Sequence, residues 1–134
     1  MLGLILLAAC ALQVPAAGTA VITVASGSFF GSTSTQIYAD GTVVLETARP
    51  GKPGLHRVQK ATPQAFVAAA AVIAAEGAKT KAAVKPEAAQ CLDYGTDLVT
   101  ASPAIAGFDG VSANCPDAAV TALMDHVLAA LAAK

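Results

Sequence analysis

The chain has 134 residues, of which 55% are hydrophobic and only 4% aromatic, and it contains no Trp. One hydrophobic core is feasible at this length, but it must be built from small and aliphatic side chains because alanine supplies much of the apolar content. Eight Lys and Arg residues against nine Asp and Glu residues give a net charge of −1 without a basic cluster, which argues against nucleic-acid binding.

The first 18 residues predict an export signal followed by a short tether. Leu2 to Leu12 is an apolar stretch of the length found in secretory leaders, and residues 14–18 offer small-residue cleavage contexts. The stretch is shorter than the roughly 20 residues of a membrane-spanning helix, so no transmembrane helix is predicted. No Lys or Arg precedes Arg49, so the basic start of a leader is missing and we expect the true start to lie upstream of Met1.

Cys10 has three alternative roles. Residues 7–10, Leu-Ala-Ala-Cys, resemble the lipobox of bacterial lipoproteins, whose acylated cysteine holds a soluble domain at a bilayer. Residues 11–18 are mostly apolar, which favours instead a leader that is removed together with Cys10. The third alternative is a buried N-terminal segment. The first two export the protein, so we expect a leader and tether over residues 1–18 and a single domain over residues 19–134.

The other two cysteines predict a disulfide bond. Cys91 and Cys115 form an even pair in an exported domain, where disulfides persist. A redox or metal pair is disfavoured because the chain has no Cys-x-x-Cys motif and neither His56 nor His126 has ligand-like spacing to a cysteine. No metal or cofactor is expected.

The first half of the domain predicts strands. They cover residues 20–25, 33–39, 42–48 and 55–60. Asp40-Gly41 is a hairpin turn signal, because both residues tolerate positive φ. The Gly- and Ser-rich stretch 26–34 is expected to form a loop or bulge, and residues 49–54, with two prolines that lack an N–H donor, a second loop.

The first predicted helix starts at Thr62-Pro63 and ends at Glu76, where Gly77 takes a left-handed C-cap. Its sheet-facing side is predicted to contain Phe66, Ala70, Ile73 and Ala74. Residues 78–90 are expected to form an exposed connection, with lysines that are solvated rather than arranged for an acidic membrane surface.

The second half predicts a hairpin and a second helix. Strands over residues 93–101 and 104–108 flank a turn at Ser102-Pro103, and Asp109-Gly110 ends the hairpin. The helix begins after Cys115, with Pro116 at its first position. Its apolar stripe is Val120, Leu123, Met124, Val127, Leu128 and Leu131. The predicted fold is therefore α+β: an antiparallel sheet of five or six strands with two helices on one face, in the order β-β-β-β-α-β-β-α.

Candidate catalytic residues are few. His56 and His126 are the only imidazoles, and neither lies in a nucleophile motif. Asp93, Tyr94 and Asp97 form a polar cluster beside Cys91, which turn chemistry explains better than an acidic pocket or a calcium loop. We expect these groups to be scattered.

Two features of the Gly- and Ser-rich stretch are candidates for binding. Ser26 to Ser28 and Gly31 to Thr33 suggest an anion-binding nest, although no Walker pattern is present and a plain loop is favoured. Phe29-Phe30 is an unusual pair in an aromatic-poor chain. One ring in the core and one outside is the simpler expectation, and two rings at a partner surface is the alternative.

The stretch SGSFFGSTSTQIYADGTVVLE, the later CLDYGTDLVTASP and the helix after NCPD resemble a group of small bacterial exported domains of unknown function. The resemblance implies an exported location and a fold in which a hairpin, a helix, a second hairpin and a terminal helix follow one another, with no established activity.

These observations lead to one functional hypothesis and one alternative. The hypothesis is a non-enzymatic periplasmic or lipid-anchored protein that binds an envelope protein or cell-wall component through the open sheet face or Phe29-Phe30, and that contacts the membrane only through Cys10. The alternative is a small periplasmic hydrolase or inhibitor-like domain that uses His56 or the cluster around Asp97. The sequence does not indicate the oligomeric state.

Overall fold

The computed structural model describes residues 15, 18–85, 91 and 95–133. Within them the chain forms six strands and two α-helices. The elements are β1 (Val21–Ser28), β2 (Gly31–Tyr38), β3 (Thr42–Arg49), β4 (Lys52–Lys60), α1 (Pro63–Ala83), β5 (Thr96–Ile105), β6 (Phe108–Ala113) and α2 (Ala118–Ala129), which continues into a short 3₁₀ turn, Ala130–Ala132. The strands form one sheet in the order β4-β3-β2-β1-β5-β6, with antiparallel neighbours throughout. The predicted fold class and element order are confirmed.

The core lies between one face of the sheet and the two helices. Ile22 and Val24 alternate with half-buried residues along β1, and the same face continues at Ile37 of β2 and Val99 of β5. Ile73 of α1 closes this layer together with Val120, Leu123 and Val127 of α2. The helices lie over β1, β2, β5 and β6 and do not extend over β4. None of the helices among the described residues is both long and apolar enough to span a membrane.

The stretch 26–34 is not a loop, contrary to the prediction. Ser26, Gly27 and Ser28 of β1 pair with Thr33, Ser32 and Gly31 of β2, so Phe29 and Phe30 form a two-residue hairpin turn. The nest interpretation is wrong for the same reason, since these residues belong to a paired ladder. Glycine is required at position 31 because the backbone there lies close to β3. A Cβ at this position would lie 2.8 Å from the carbonyl oxygen of Ala48.

The predicted loop over residues 49–54 is also wrong. β3 extends to Arg49 and β4 begins at Lys52, which leaves only Pro50 and Gly51 as the turn. Pro53 is accommodated because β4 is an edge strand and its register to β3 shifts between Thr47 and Arg49.

The last hairpin turns later than predicted. β5 runs through Ser102-Pro103 to Ile105, and the chain reverses at Ala106 and Gly107, whose φ angles are 49° and 79°. Asp109-Gly110 lies inside β6, where Gly110 is paired with Thr100. Asp-Gly is a local signal for a turn, whereas the position at which the chain reverses depends on the register of the two paired strands.

The first helix continues past its predicted end. α1 includes Gly77, which is buried in the helix interior instead of capping it, because the missing side chain lets the helix approach Phe108. The buried stripe is Ala65, Ala69, Ile73, Gly77 and Thr80. Of the predicted face, Ile73 is buried, Phe66 and Ala70 are half-buried, and Ala74 is exposed.

The second helix begins at a different cap from the one predicted. Asp117 is the N-cap, and its carboxylate accepts hydrogen bonds from the N–H groups of Ala119 and Val120 at 2.9 and 3.1 Å. Pro116 therefore precedes the cap instead of occupying the first helical position. The predicted apolar stripe is confirmed: three of its residues are fully buried, and Met124, Leu128 and Leu131 pack against the core.

Gly77 provides a test of the helix–sheet contact. A Cβ at this position would lie 2.8 Å from the Phe108 ring, so Gly77→Leu should lower the free energy of unfolding by about 1–3 kcal/mol through overpacking. Ala78→Leu, on the exposed side of the same helix, is the matched control and should change it by less than about 0.5 kcal/mol. Urea denaturation measures both, and an equal effect of the two substitutions would contradict the buried contact.

The Asp40-Gly41 turn is confirmed and has a pH signature. The Asp40 Oδ1 atom accepts the Thr42 N–H at 2.8 Å, and Lys60 Nζ lies 3.5 Å from Oδ2. The hydrogen bond from Thr42, aided by the Lys60 ammonium, holds the pKa of the Asp40 carboxyl below its ordinary value of 3.8. The folded state therefore favours the carboxylate.

Asp40→Ala should lower the free energy of unfolding by about 0.5–1 kcal/mol at neutral pH, because the Thr42 N–H loses its acceptor. Asp40→Asn keeps an acceptor and should lose less. Because the pKa is lowered on folding, the contribution of the charge is complete above pH 3.8 and is lost as the pH falls through the folded-state pKa. Denaturation of wild type and Asp40→Asn across this range measures it, and a stability difference that persists at the lowest pH would contradict the assignment.

Candidate functional site

Two hairpin turns lie side by side at one end of the sheet. The β1–β2 turn is Phe29-Phe30 and the β3–β4 turn is Pro50-Gly51. Because the strands are antiparallel and lie in the order β4-β3-β2-β1, both turns are at the same end of the strands. We call the side chains of these turns and their flanks the hairpin-tip surface. It comprises Phe29, Phe30, Arg49, Pro50, Lys52 and Pro53.

Both phenylalanine rings lie outside the core. Phe29 is 74% and Phe30 70% exposed, and the ring centroids are 5.6 Å apart in an edge-to-face arrangement with an interplanar angle of 89°. The expectation of one buried ring is therefore wrong. The rings project beyond the last ladder pair, Ser28 and Gly31, where no helix lies over the sheet to receive a side chain.

The strands behind the tips remain exposed on both faces. Every residue from 46 to 57 is exposed, although Val43 and Val44 of the same strand β3 are buried. On the helix-facing side, where Val43 belongs to the core, the change reflects the absence of helix contacts to β3 and β4. A groove of about 390 Å³ lies between the two hairpins, with Phe30 and Gly31 on one wall and Arg49, Lys52 and Pro53 on the other.

Two cations lie at the β3–β4 turn. Arg49 and Lys52 flank the β3–β4 turn, and among the described residues neither side chain forms an ion pair. The nearest acidic group along β3, Glu46, instead accepts a hydrogen bond from His56 at 3.1 Å. The hairpin-tip surface thus combines two exposed aromatic rings with two free cations.

The described candidate catalytic residues, His56, His126 and Asp97, lie on three different elements. His56 lies on β4 beside Glu46, and His126 lies on α2 with its Nδ1 2.7 Å from Glu76 of α1. The register places His56 on the sheet face opposite to the helices. Asp97 is buried on β5 and accepts a hydrogen bond from the Ser26 hydroxyl at 2.7 Å. It therefore lies on a different element from either histidine. Asp93 and Tyr94 lie outside the described residues.

No group of three or more His, Cys, Asp or Glu side chains is arranged to hold a metal ion within the part of the chain that the structure describes.

The predicted disulfide bond is confirmed. Cys91 and Cys115 are joined with a Cα–Cα distance of 5.2 Å, so the segment before β5 is tied to the segment before α2. A disulfide bond points to a compartment outside the reducing cytoplasm. Cys10, the predicted lipidation site, lies outside the described residues.

Sequence reasoning identified Phe29 and Phe30 but missed the other half of the surface. Arg49, Pro50, Lys52 and Pro53 were assigned to a loop because prolines interrupt a ladder. The sequence signal that could have placed them is Pro50-Gly51, because Pro followed by Gly favours a tight turn, and Gly51 indeed adopts a φ of 70°.

The fold and site define an α+β domain with an antiparallel sheet and a protruding hairpin-tip surface that is aromatic and basic. No protein-family model matches the chain, and no curated protein or solved structure matches it either. The resemblance to small bacterial exported domains therefore stays a prediction.

The disulfide bond should contribute a large part of the stability of this alanine-rich fold. It closes a loop with a sequence separation of 24. Its removal in the Cys91→Ala/Cys115→Ala variant should therefore lower the free energy of unfolding by up to about 3.5 kcal/mol in the chain-entropy description. Urea denaturation with and without a reducing agent measures the effect. The reductant should destabilise the wild type and leave the variant unchanged, and equal stability of the oxidised and reduced wild type would contradict the prediction.

Proposed function

We propose that this protein is a non-enzymatic binding domain of the bacterial cell envelope that recognises its partner through the hairpin-tip surface. The observation that carries the proposal is the pair of exposed rings, Phe29 and Phe30, beside the cations Arg49 and Lys52. Large apolar side chains that cluster on a monomer surface mark interaction sites, whereas isolated ones need no explanation. Val67 on α1 is such an isolated case, with 64% exposure.

The open sheet face is a weaker candidate for the same role. Its central residues, Thr23, Gln36 and Thr100, are half-buried and polar. The exposed large hydrophobic side chains of the described residues are instead Phe29, Phe30, Leu55 and Val67. Two of these four lie at the tips and a third, Leu55, on β4 near them, so the tips are the better binding surface.

Export is part of the proposal. The disulfide bond between Cys91 and Cys115 supports an oxidising location, and the apolar stretch before residue 13 supports a leader or a lipid anchor at Cys10. A periplasmic or membrane-tethered domain would present its hairpin tips to other components of the envelope. The hydrolase or inhibitor-like alternative is not favoured by any contact among the described residues.

The proposal is tested by photo-crosslinking in the native envelope. A photoreactive residue in place of Phe29 or Phe30 of the full chain should give specific adducts, because these side chains are expected to lie against the partner. The same residue in place of Val67, which is similarly exposed on α1, is the matched control and should give none. Equal labelling at positions 30 and 67, or no labelling at either tip position, would contradict the proposal.

A further inference from the structure

We infer that the partner of the hairpin-tip surface is an anionic phospholipid bilayer, into whose interface Phe29 and Phe30 insert. This inference rests on the proposed binding role of the tips and adds a contact by the folded domain to the membrane contact expected at Cys10. Three observations support it: the shape of the surface, its charge and the hydrogen bonds of its backbone.

The shape is that of a protrusion rather than a pocket. The two rings extend beyond the final pair of the β1–β2 ladder and are 74% and 70% exposed, so a rigid protein partner would need a matching cavity to bury both. The fluid interface of a bilayer requires no such cavity, and aromatic side chains at the end of a structural element are typical anchors there. The shape therefore favours a lipid surface.

The charges are placed to complement such a surface. Arg49 and Lys52 flank the neighbouring turn and line the groove that Phe30 borders. Basic side chains next to an inserted apolar group attract the anionic headgroups of a bilayer while their long apolar stems lie along the interface. Because neither side chain is held in an ion pair among the described residues, both ammonium and guanidinium groups are available to lipid phosphates.

One backbone donor of the aromatic tip already has a partner within the turn. The N–H of Phe30 donates a hydrogen bond to the Ser28 hydroxyl oxygen at 3.1 Å, so this donor has a partner inside the turn. Both hairpins are paired up to their turns, at Ser28 with Gly31 and at Arg49 with Lys52. The Phe30 N–H can therefore enter the interface without the cost of an unpaired donor, and the paired hairpins do not have to fold on binding.

Tryptophan fluorescence tests the inference at single-residue resolution. The protein contains no Trp, so Phe30→Trp in the full chain introduces one fluorophore at the tip. With vesicles that contain phosphatidylglycerol and phosphatidylcholine, its emission should shift to the blue and should be quenched by lipids brominated in the acyl chains. Val67→Trp, exposed on α1, is the matched control and should show neither effect. The N-terminal apolar stretch is common to both proteins and cannot produce a difference between them.

Two further variants test separately how the Phe29 ring and the two cations contribute to vesicle binding. Phe29→Ser in the Phe30→Trp background should weaken vesicle partitioning about ten-fold, since one inserted ring is lost. Arg49→Glu/Lys52→Glu should weaken it at least about 25-fold on vesicles with phosphatidylglycerol, at roughly five-fold for each cation, with little effect on phosphatidylcholine alone. High salt should reproduce the second result.

An unchanged Phe30→Trp spectrum in the presence of phosphatidylglycerol vesicles would overturn the inference, as would an equal shift at position 67. The crosslinking experiment separates this failure from a failure of the binding role. Adducts to a protein or glycan at position 30 without a spectral shift on vesicles would leave the binding surface in place and refute the lipid, whereas a lipid adduct at position 30 supports both.

Discussion

The helix layer covers only part of the sheet, and most features of this molecule follow from that mismatch. Six strands form a sheet whose core face is aliphatic where α1 and α2 lie over β1, β2, β5 and β6. The residues beyond the helices have no second layer, so the helix-facing side of β3 changes from buried at Val43 to exposed at Thr47. A sheet that continues past its covering helices must end in polar, small or functionally exposed side chains. Here it ends in two phenylalanines and two cations.

The covered part is stabilised by close approach rather than by large side chains. Ala65, Ala69 and Gly77 lie on the buried stripe of α1, and Gly77 allows contact with the Phe108 ring of the sheet. Small side chains bury little apolar surface, whereas ordering each residue still costs conformational entropy. A disulfide bond therefore contributes a larger share of the stability of such a core. The Cys91–Cys115 bond supplies one and joins the entry of β5 to the entry of α2. Its presence in turn links the stability of the fold to an oxidising compartment.

The exposed part has the properties of a contact surface held by a rigid scaffold. Each tip is a two-residue turn on a hairpin that is paired up to the turn, and the positions of Phe30 and Arg49 are fixed relative to each other because β2 and β3 are neighbours in the ladder. The histidines and Asp97 are distributed over different elements and faces, each with a local partner. A binding role at the tips uses a place where, among the described residues, exposed aromatic rings lie beside cations that form no ion pair.

The sequence by itself determined the features that depend on near neighbours along the chain. Asp40-Gly41, the apolar stripe of α2, the element order and the pairing of Cys91 with Cys115 all follow from local turn chemistry, helical periodicity or cysteine number. Phe29 and Phe30 were recognisable as unusual for the same reason. Only the tertiary structure decided that both rings point outward, that Gly77 continues a helix, and that residues 49–54 belong to a hairpin beside the rings. These outcomes depend on which strand lies next to which and on where the helix layer stops, and contacts between residues distant in sequence set both.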